Sequence, residues 1–138
     1  MKPTFVDTSA IVALVDKSDR HHAAAKKALE QLGEGHVPLV TSTDVVDEVI
    51  TLTRRRLGHN IAVSTGEALL RSRWCRLLDV DSATREVAWS IFVRYSDQVL
   101  SFTDCTSFAL MRTLGVSDAF TFDRTDFSAA GFVVLPAP

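Results

Sequence analysis

Short runs of apolar and β-branched residues alternate along the chain with longer stretches in which apolar residues recur every three or four positions. Thr4-Phe5-Val6-Asp7 reads as a first strand, followed at once by a helix through Ala10, Ile11, Leu14 and Val15. A second helix runs from His21 to Leu32, with Ala24, Ala25, Ala28, Leu29 and Leu32 at helical spacing, and Gly33 and Gly35 stop it. Val37 to Thr41 is a second strand with Pro38 near its start, where proline is tolerated.

Ser42 or Thr43 then caps a helix whose apolar face is marked by Val45, Val46, Val49, Ile50 and Leu52. Arg54, Arg55 and Arg56 fall in its last turn, favourably placed against the helix dipole. Asn60 to Leu70 reads as another helix and Trp74 to Asp79 as a short strand. Asp81 or Ser82 opens a helix carrying Val87, Ala88, Ile91, Phe92 and Tyr95, and Thr103 to Leu114 forms one with Phe108, Met111 and Leu114 on one face and Gly115 just past its end. Ala119 to Phe122 and Phe132 to Leu135 are the last strands.

Strands alternating with helices, without linker, repeat or low-complexity tract, predict parallel pairing and a three-layer α/β/α sandwich with a central parallel sheet. At 138 residues, 46% of them hydrophobic and 23% charged, the chain is expected to form a single domain over 1–138 around one core rather than a disordered segment.

Two cysteines, Cys75 and Cys105, each lie in an apolar segment. They read as buried thiols in a reducing cytoplasm, with neither a disulfide framework nor a zinc site. Asp7 and Asp16 break the N-terminal apolar run, and no later stretch approaches the ~20 apolar residues of a membrane span, so neither signal peptide nor membrane attachment is expected. Fifteen basic against 17 acidic residues give a formal charge of −2, which by itself does not suggest a nucleic-acid binder. A polyanion would have to be held locally, by metal and clustered arginines.

The acids sort by position. In open parallel sheets, ligands bind outside the carboxyl ends of the strands. Asp7 ends the first strand and Asp123 follows the strand ending at Phe122; Glu48 lies early in the helix after the second strand, and Asp104 in a first helical turn. All four are expected at one rim of the sheet. Carboxylates converging there would raise one another's pKa, and a hard divalent cation such as Mg²⁺ or Mn²⁺ relieves that repulsion. One or two such ions, ~4 Å apart if two, can activate water and stabilise the leaving oxygen of a phosphodiester.

Each acid also has an ordinary structural explanation. Asp7 before Thr8 and Ser9 can cap a helix, Glu48 can sit at the edge of an apolar face, and Asp104 is favoured by the helix dipole alone. Asp123 and Asp126 around Arg124 can form a turn with a surface ion pair. Of the neighbours Asp47 and Glu48, set apart by ~100° of helix rotation, Glu48 is preferred because it shares a stripe with Val45 and Leu52.

Three stretches resemble the PIN-domain ribonucleases, and most closely the VapC-like toxins of toxin–antitoxin pairs. They are Phe5-Val6-Asp7-Thr8-Ser9-Ala10, Leu100-Ser101-Phe102-Thr103-Asp104 continuing through Phe108-Ala109-Leu110-Met111 to Gly115, and Ala119-Phe120-Thr121-Phe122-Asp123 with Phe127 and Gly131-Phe132 after it. Glu48 in Asp47-Glu48-Val49 is similar to the family's helical acid. The resemblance spans nearly the whole chain. It implies a PIN fold and a Mg²⁺- or Mn²⁺-dependent endoribonuclease that hydrolyses RNA through a metal-activated water, leaving a 5′-phosphate and a 3′-hydroxyl.

By the same resemblance Asp7, Glu48, Asp104 and Asp123 are the catalytic and metal-holding quartet. Thr8, Ser9, Thr103 and Thr121 are polar supports, and Asp126 a supporting or water-mediated partner. The resemblance further implies a cytoplasmic homodimer neutralised by a cognate antitoxin that presents a basic side chain to the carboxylates.

Arg54 to Arg56 and Arg71, Arg73 and Arg76 can grip phosphates or merely form solvated helix ends. His21, His22, His36 and His59 lack metal-ligand spacing and read as surface residues, and Trp74 and Trp89 read as core. Competing functions are a stand-alone PIN RNA-processing nuclease and a catalytically silent RNA- or partner-binding module, the latter disfavoured because no acid is missing. A haloacid-dehalogenase-like phosphatase would need an Asp where Ser9 stands.

Overall fold

The first strand, β1 (Thr4–Val6), is fully buried, as expected of a central parallel strand covered by helices on both faces. A computed structural model describes residues 1–138. After β1 come α1 (Thr8–Val15), α2 (His22–Glu34), β2 (Leu39–Ser42), α3 (Thr43–Leu57) and α4 (His59–Leu70). They are followed by β3 (Arg76–Leu78), α5 (Ser82–Arg94), α6 (Phe102–Leu114), β4 (Asp118–Phe120), α7 (Arg124–Ala129) and β5 (Val133–Leu135). Five parallel strands in the order β3-β2-β1-β4-β5 form the sheet, flanked by seven helices in the α/β arrangement expected.

The register decides where the chemistry falls. Thr4 pairs with Asp118 and Val6 with Phe120, so the residues that follow each strand, Asp7 and Thr121, leave the sheet side by side. Asp7 N–H donates to Phe120 O at 3.0 Å, carrying the ladder one residue past β1. On the other flank Thr41 Oγ1 donates to Val6 O at 2.8 Å, tying the end of β2 to the same rim. Ser42 then caps α3 through Val45 N–H at 3.0 Å, a bond worth ~1 kcal/mol that sets the helix phase and therefore the direction of Glu48.

α6 is buried without a break from Cys105 to Met111. Its start is one residue earlier than the sequence suggests, because Ser101 and Asp104 form a reciprocal capping box around it. Gly115, at φ 68, closes it in the left-handed conformation. Leu114, expected on the buried face, is instead 52% exposed.

Two further expectations are corrected. The turn around Arg124, the ordinary alternative for Asp123 and Asp126, gives way to α7 (Arg124–Ala129), a helix too short for its apolar period to show. It is held by Phe127, fully buried and edge-on to Phe108 at 4.9 Å between centroids. Trp89, read as core, is 55% exposed on α5 beside Phe92 and Val93, while Trp74 is half-buried against the core. Both cysteines are buried and free. Burial pushes the Cys75 thiol up to about 12 and Cys105 to about 11, so neither is a reactive thiolate near neutrality.

Candidate functional site

Past the carboxyl ends of β1 and β4 lies a cavity of about 430 Å³. Asp7, Glu48, Asp104 and Asp123 all line it. Asp47, next to Glu48 in sequence, is exposed and points elsewhere, as the helical rotation requires.

Asp7 is the deepest acid, 4% exposed. Its Oδ2 accepts Ser9 Oγ at 3.0 Å and Thr121 Oγ1 at 2.7 Å. Those hydroxyls in turn accept the Phe122 N–H at 2.9 Å and the Asp123 N–H at 3.0 Å. Each hydroxyl has one proton, so with both directed at Asp7 the 3.1 Å approach of Ser9 Oγ to Thr121 Oγ1 is a contact rather than a bond. The result is a scaffold that fixes one oxygen of Asp7 and the chain leading to Asp123.

Asp104 performs two tasks at once. Its Oδ2 accepts the Ser101 N–H at 3.1 Å, closing the capping box, while it also borders the cavity. The structural and functional readings of this residue are therefore compatible. Burial, then the charges of Asp7 and Asp123, push its carboxyl up to about 7, against the lowering effect of the Ser101 bonds. Asp123 is pushed up to about 6, first by burial and then by Asp126 and Asp7. Burial also raises Asp7 above the ordinary carboxylate range, outweighing the hydroxyls that stabilise its charge.

Carboxylate oxygens of Asp104, Asp123 and Asp126 lie within 4.8 Å of one another. The tightest trio thus contains two of the expected quartet together with Asp126, which α7 turns toward them; Asp7 and Glu48 face the same space from further off. Hard oxygen donors, mutually repelling and facing a polar cavity, are the donor set that divalent cations such as Mg²⁺ and Mn²⁺ take. Thr8 Oγ1, buried beside Asp7 on the cavity wall, has no hydrogen-bond partner in the protein, so the wall presents an oxygen suited to a cation or its hydration shell. The residues present fit such a metal.

Thr103, expected as a support, does not line the cavity; its carbonyl accepts Thr106 Oγ1 at 3.0 Å, and Ser101 occupies the supporting position instead. Sequence reading missed Asp19 and His21, which also line the cavity, and left Arg56 undistinguished among its neighbours. Arg56 is the one Lys or Arg on the wall, 3.9 Å from Asp19, whereas Arg54 and Arg55 are exposed outside it. Arg71 pairs with Glu67 at 3.5 Å, away from the acids, and neither Arg73 nor Arg76 reaches them. Of the four histidines read as surface residues, two are partly buried and make defined contacts. His21 stacks on Phe122 at 4.3 Å and 8° between planes, and His22 Nδ1 lies 2.7 Å from Ala13 O. A hint existed in Asp19-Arg20-His21, since Asp two residues before another folds back readily; Asp19 Oδ1 accepts the His21 N–H at 2.8 Å.

The chain matches the PIN domain model over residues 4–133. It is 43% identical over 130 residues to the 23S rRNA-specific endonuclease VapC20 of Mycobacterium tuberculosis, covering 94% of this chain and 95% of that protein. Ribonuclease VapC26 of the same organism is 29% identical over 137 residues, covering 95% and 98%. The crystal structure of VapC20, described as a Sarcin-Ricin loop cleaving toxin, matches with a TM-score of 0.84 at 40% identity over 94% of this chain and 96% of that one. DNA-bound VapBC from Salmonella typhimurium matches with a TM-score of 0.71 at 14% identity over 97% of each chain, a likeness of fold.

Proposed function

The chain belongs to the PIN-domain family, and from that membership we propose that it is a divalent-metal-dependent endoribonuclease, the toxin of a toxin–antitoxin pair, working as a single nuclease domain in the cytoplasm. The observation that carries the reading is the meeting of Asp7, Glu48, Asp104 and Asp123 in one cavity at the carboxyl rim of the sheet, from four separate parts of the chain. Support from sequence comes from the 43% identity to an endonuclease specific for 23S rRNA.

Asp7, Glu48, Asp104 and Asp123 would hold Mg²⁺ or Mn²⁺, with Asp126 bearing on Asp104 and Asp123 from α7. Such an ion supplies charge compensation for the phosphodiester and acidifies water. The protein's own groups prepare the rest. Thr121 and Ser9 hold Asp7 in one orientation, and Ser101 holds Asp104. Arg56 offers the cavity wall's guanidinium to a phosphate oxygen, and because Arg56 is half-exposed and its contact with Asp19 is long, at 3.9 Å, the exchange of one anion for the other costs little.

An acidic cavity of this kind suits inhibition by a protein that presents a cation to it, the role proposed for a cognate antitoxin. An exposed apolar strip of Trp89, Phe92, Val93 and Val99 supports a homodimer, since such a surface is stabilised by covering it with a second copy. No helix is long and apolar enough to cross a membrane.

The test is incubation of purified protein with 23S rRNA and with an isolated Sarcin-Ricin loop, in Mg²⁺, Mn²⁺ or EDTA, beside Asp104→Asn. Discrete cutting that requires metal and disappears in the variant is the expected result. Cutting that persists in EDTA, or in folded Asp104→Asn, overturns the assignment.

A further inference from the structure

His21 borders the acid cavity, yet its ring does not face the carboxylates through any hydrogen bond. It lies parallel to Phe122 at 4.3 Å, the residue immediately before Asp123. The Asp19 side chain holds the His21 backbone at 2.8 Å, and Arg20 Nε donates to His21 Nε2 at 3.1 Å. The loop beneath is itself tied down. Asp16, 6% exposed, accepts both the Ser18 N–H at 3.0 Å and Ser18 Oγ at 2.6 Å. A half-exposed imidazole is thus held in a fixed plane at the edge of the site, with its orientation set before anything binds.

The same Phe122 ring also meets Arg124, whose guanidinium carbon lies 5.9 Å from the centroid. Arg124 borders a second cavity, of about 530 Å³, together with Lys27 and Gln31 of α2. A ledge of His21, Phe122 and Arg124 therefore runs from the acid cavity to a basic one.

The chemistry of the ledge answers a difficulty in binding RNA here. The chain carries a formal charge of −2, and the wall of the acid cavity has one arginine against five acids, so the protein's own side chains offer few contacts to phosphates flanking the cut. Stacking of a base on an aromatic ring needs no charge complementarity, and every base has a face to offer. Accepting the RNA-cleaving reading above, we infer that His21, backed by Phe122, is a stacking platform for the nucleobase next to the scissile phosphate, with Arg124 and Lys27 receiving the phosphate beyond it. A flanking base is thereby oriented beside the acid cavity, where the bond to be cut lies.

Binding is measured by fluorescence anisotropy in folded Asp104→Asn protein with Mg²⁺, using labelled short oligo(A), oligo(U) and an abasic ribose-phosphate oligomer. The protein should prefer oligo(A) to the abasic probe. His21→Ala should weaken oligo(A) binding about tenfold and leave abasic binding unchanged. His21→Phe, which keeps the stack, should restore it. In protein with Asp104 intact, His21→Ala should raise KM for RNA cleavage while leaving kcat in place, and the melting temperature of each variant checks the fold. Equal affinity of His21→Ala and the parent for oligo(A), or failure of the phenylalanine to rescue, overturns the platform while metal-dependent cleavage stands. Absence of both RNA binding and cleavage in the parent protein overturns the two readings together.

Discussion

Thr121 Oγ1 donates to Asp7 Oδ2 at 2.7 Å across 114 residues of sequence, and this bond joins the first and last acidic segments of the site. It exists because β1 and β4 are neighbours in register, so the residues just beyond them emerge together. Thr121→Val keeps the shape and removes the donor. Asp7 should then lose the hydrogen bond that most lowers its pKa, and the Asp123 N–H should lose its acceptor. A destabilisation of ~1–3 kcal/mol is expected from the unpaired buried groups, read from urea unfolding, together with reduced cleavage at saturating RNA. Wild-type turnover and stability would remove this bond from the mechanism.

Metal-free protein should lose stability as pH rises. Asp104 is raised from 3.8 to about 7 and Asp123 from 3.8 to about 6, so the folded state holds these protons more tightly than the unfolded chain. That advantage is complete below about 3.8 and is lost as pH climbs through about 6 and 7, when the crowded carboxylates ionise. In EDTA the melting temperature should therefore be lower at the upper end of this window than at its start. Asp104→Asn should flatten the slope. Added Mg²⁺ or Mn²⁺, which favours the ionised acids, should raise the melting temperature more above pH 7 than near pH 5, a difference that calorimetry in the two buffers reads directly.

Phe127→Ala should disable the site from behind. The ring is fully buried between Phe108 and Phe132, and truncations of this kind cost ~3–5 kcal/mol. Loss of the anchor should release α7 and with it Asp126, so amide exchange across residues 124–129 should speed up even where the rest of the fold survives. Unchanged protection there would show that α7 is held by something other than Phe127.

Trp89→Lys places a charge in the middle of the exposed strip on α5. If that strip joins two copies, the variant should elute as a monomer at concentrations where the parent is dimeric, with its melting temperature less dependent on concentration. A variant that remains dimeric puts the interface on another face.

Much of the fold was legible because its signals are local. The alternation of strand and helix periods, Ser42 as a cap and Gly115 as a stop each act within a few residues, and the structure keeps them. Glu48 could be separated from Asp47 for the same reason, since a helix sets their directions whatever surrounds it. α7 escaped because six residues span fewer than two turns, too few for a period, and its stability comes from Phe127 entering a pocket built by α6.

Six of the seven helices, the five parallel strands and the acids that follow the strand ends could be read from the sequence. These depend on backbone preference and on the spacing of apolar residues along one segment. Tertiary structure alone decided that Asp126 joins Asp104 and Asp123, that Arg56 rather than its neighbours reaches the acids, that His21 rests on Phe122, and that Trp89 stays exposed. Each depends on what another element, distant in sequence, places opposite that side chain. Periodicity orients a residue about its own helix, whereas the order β3-β2-β1-β4-β5 and the packing upon it determine what it meets.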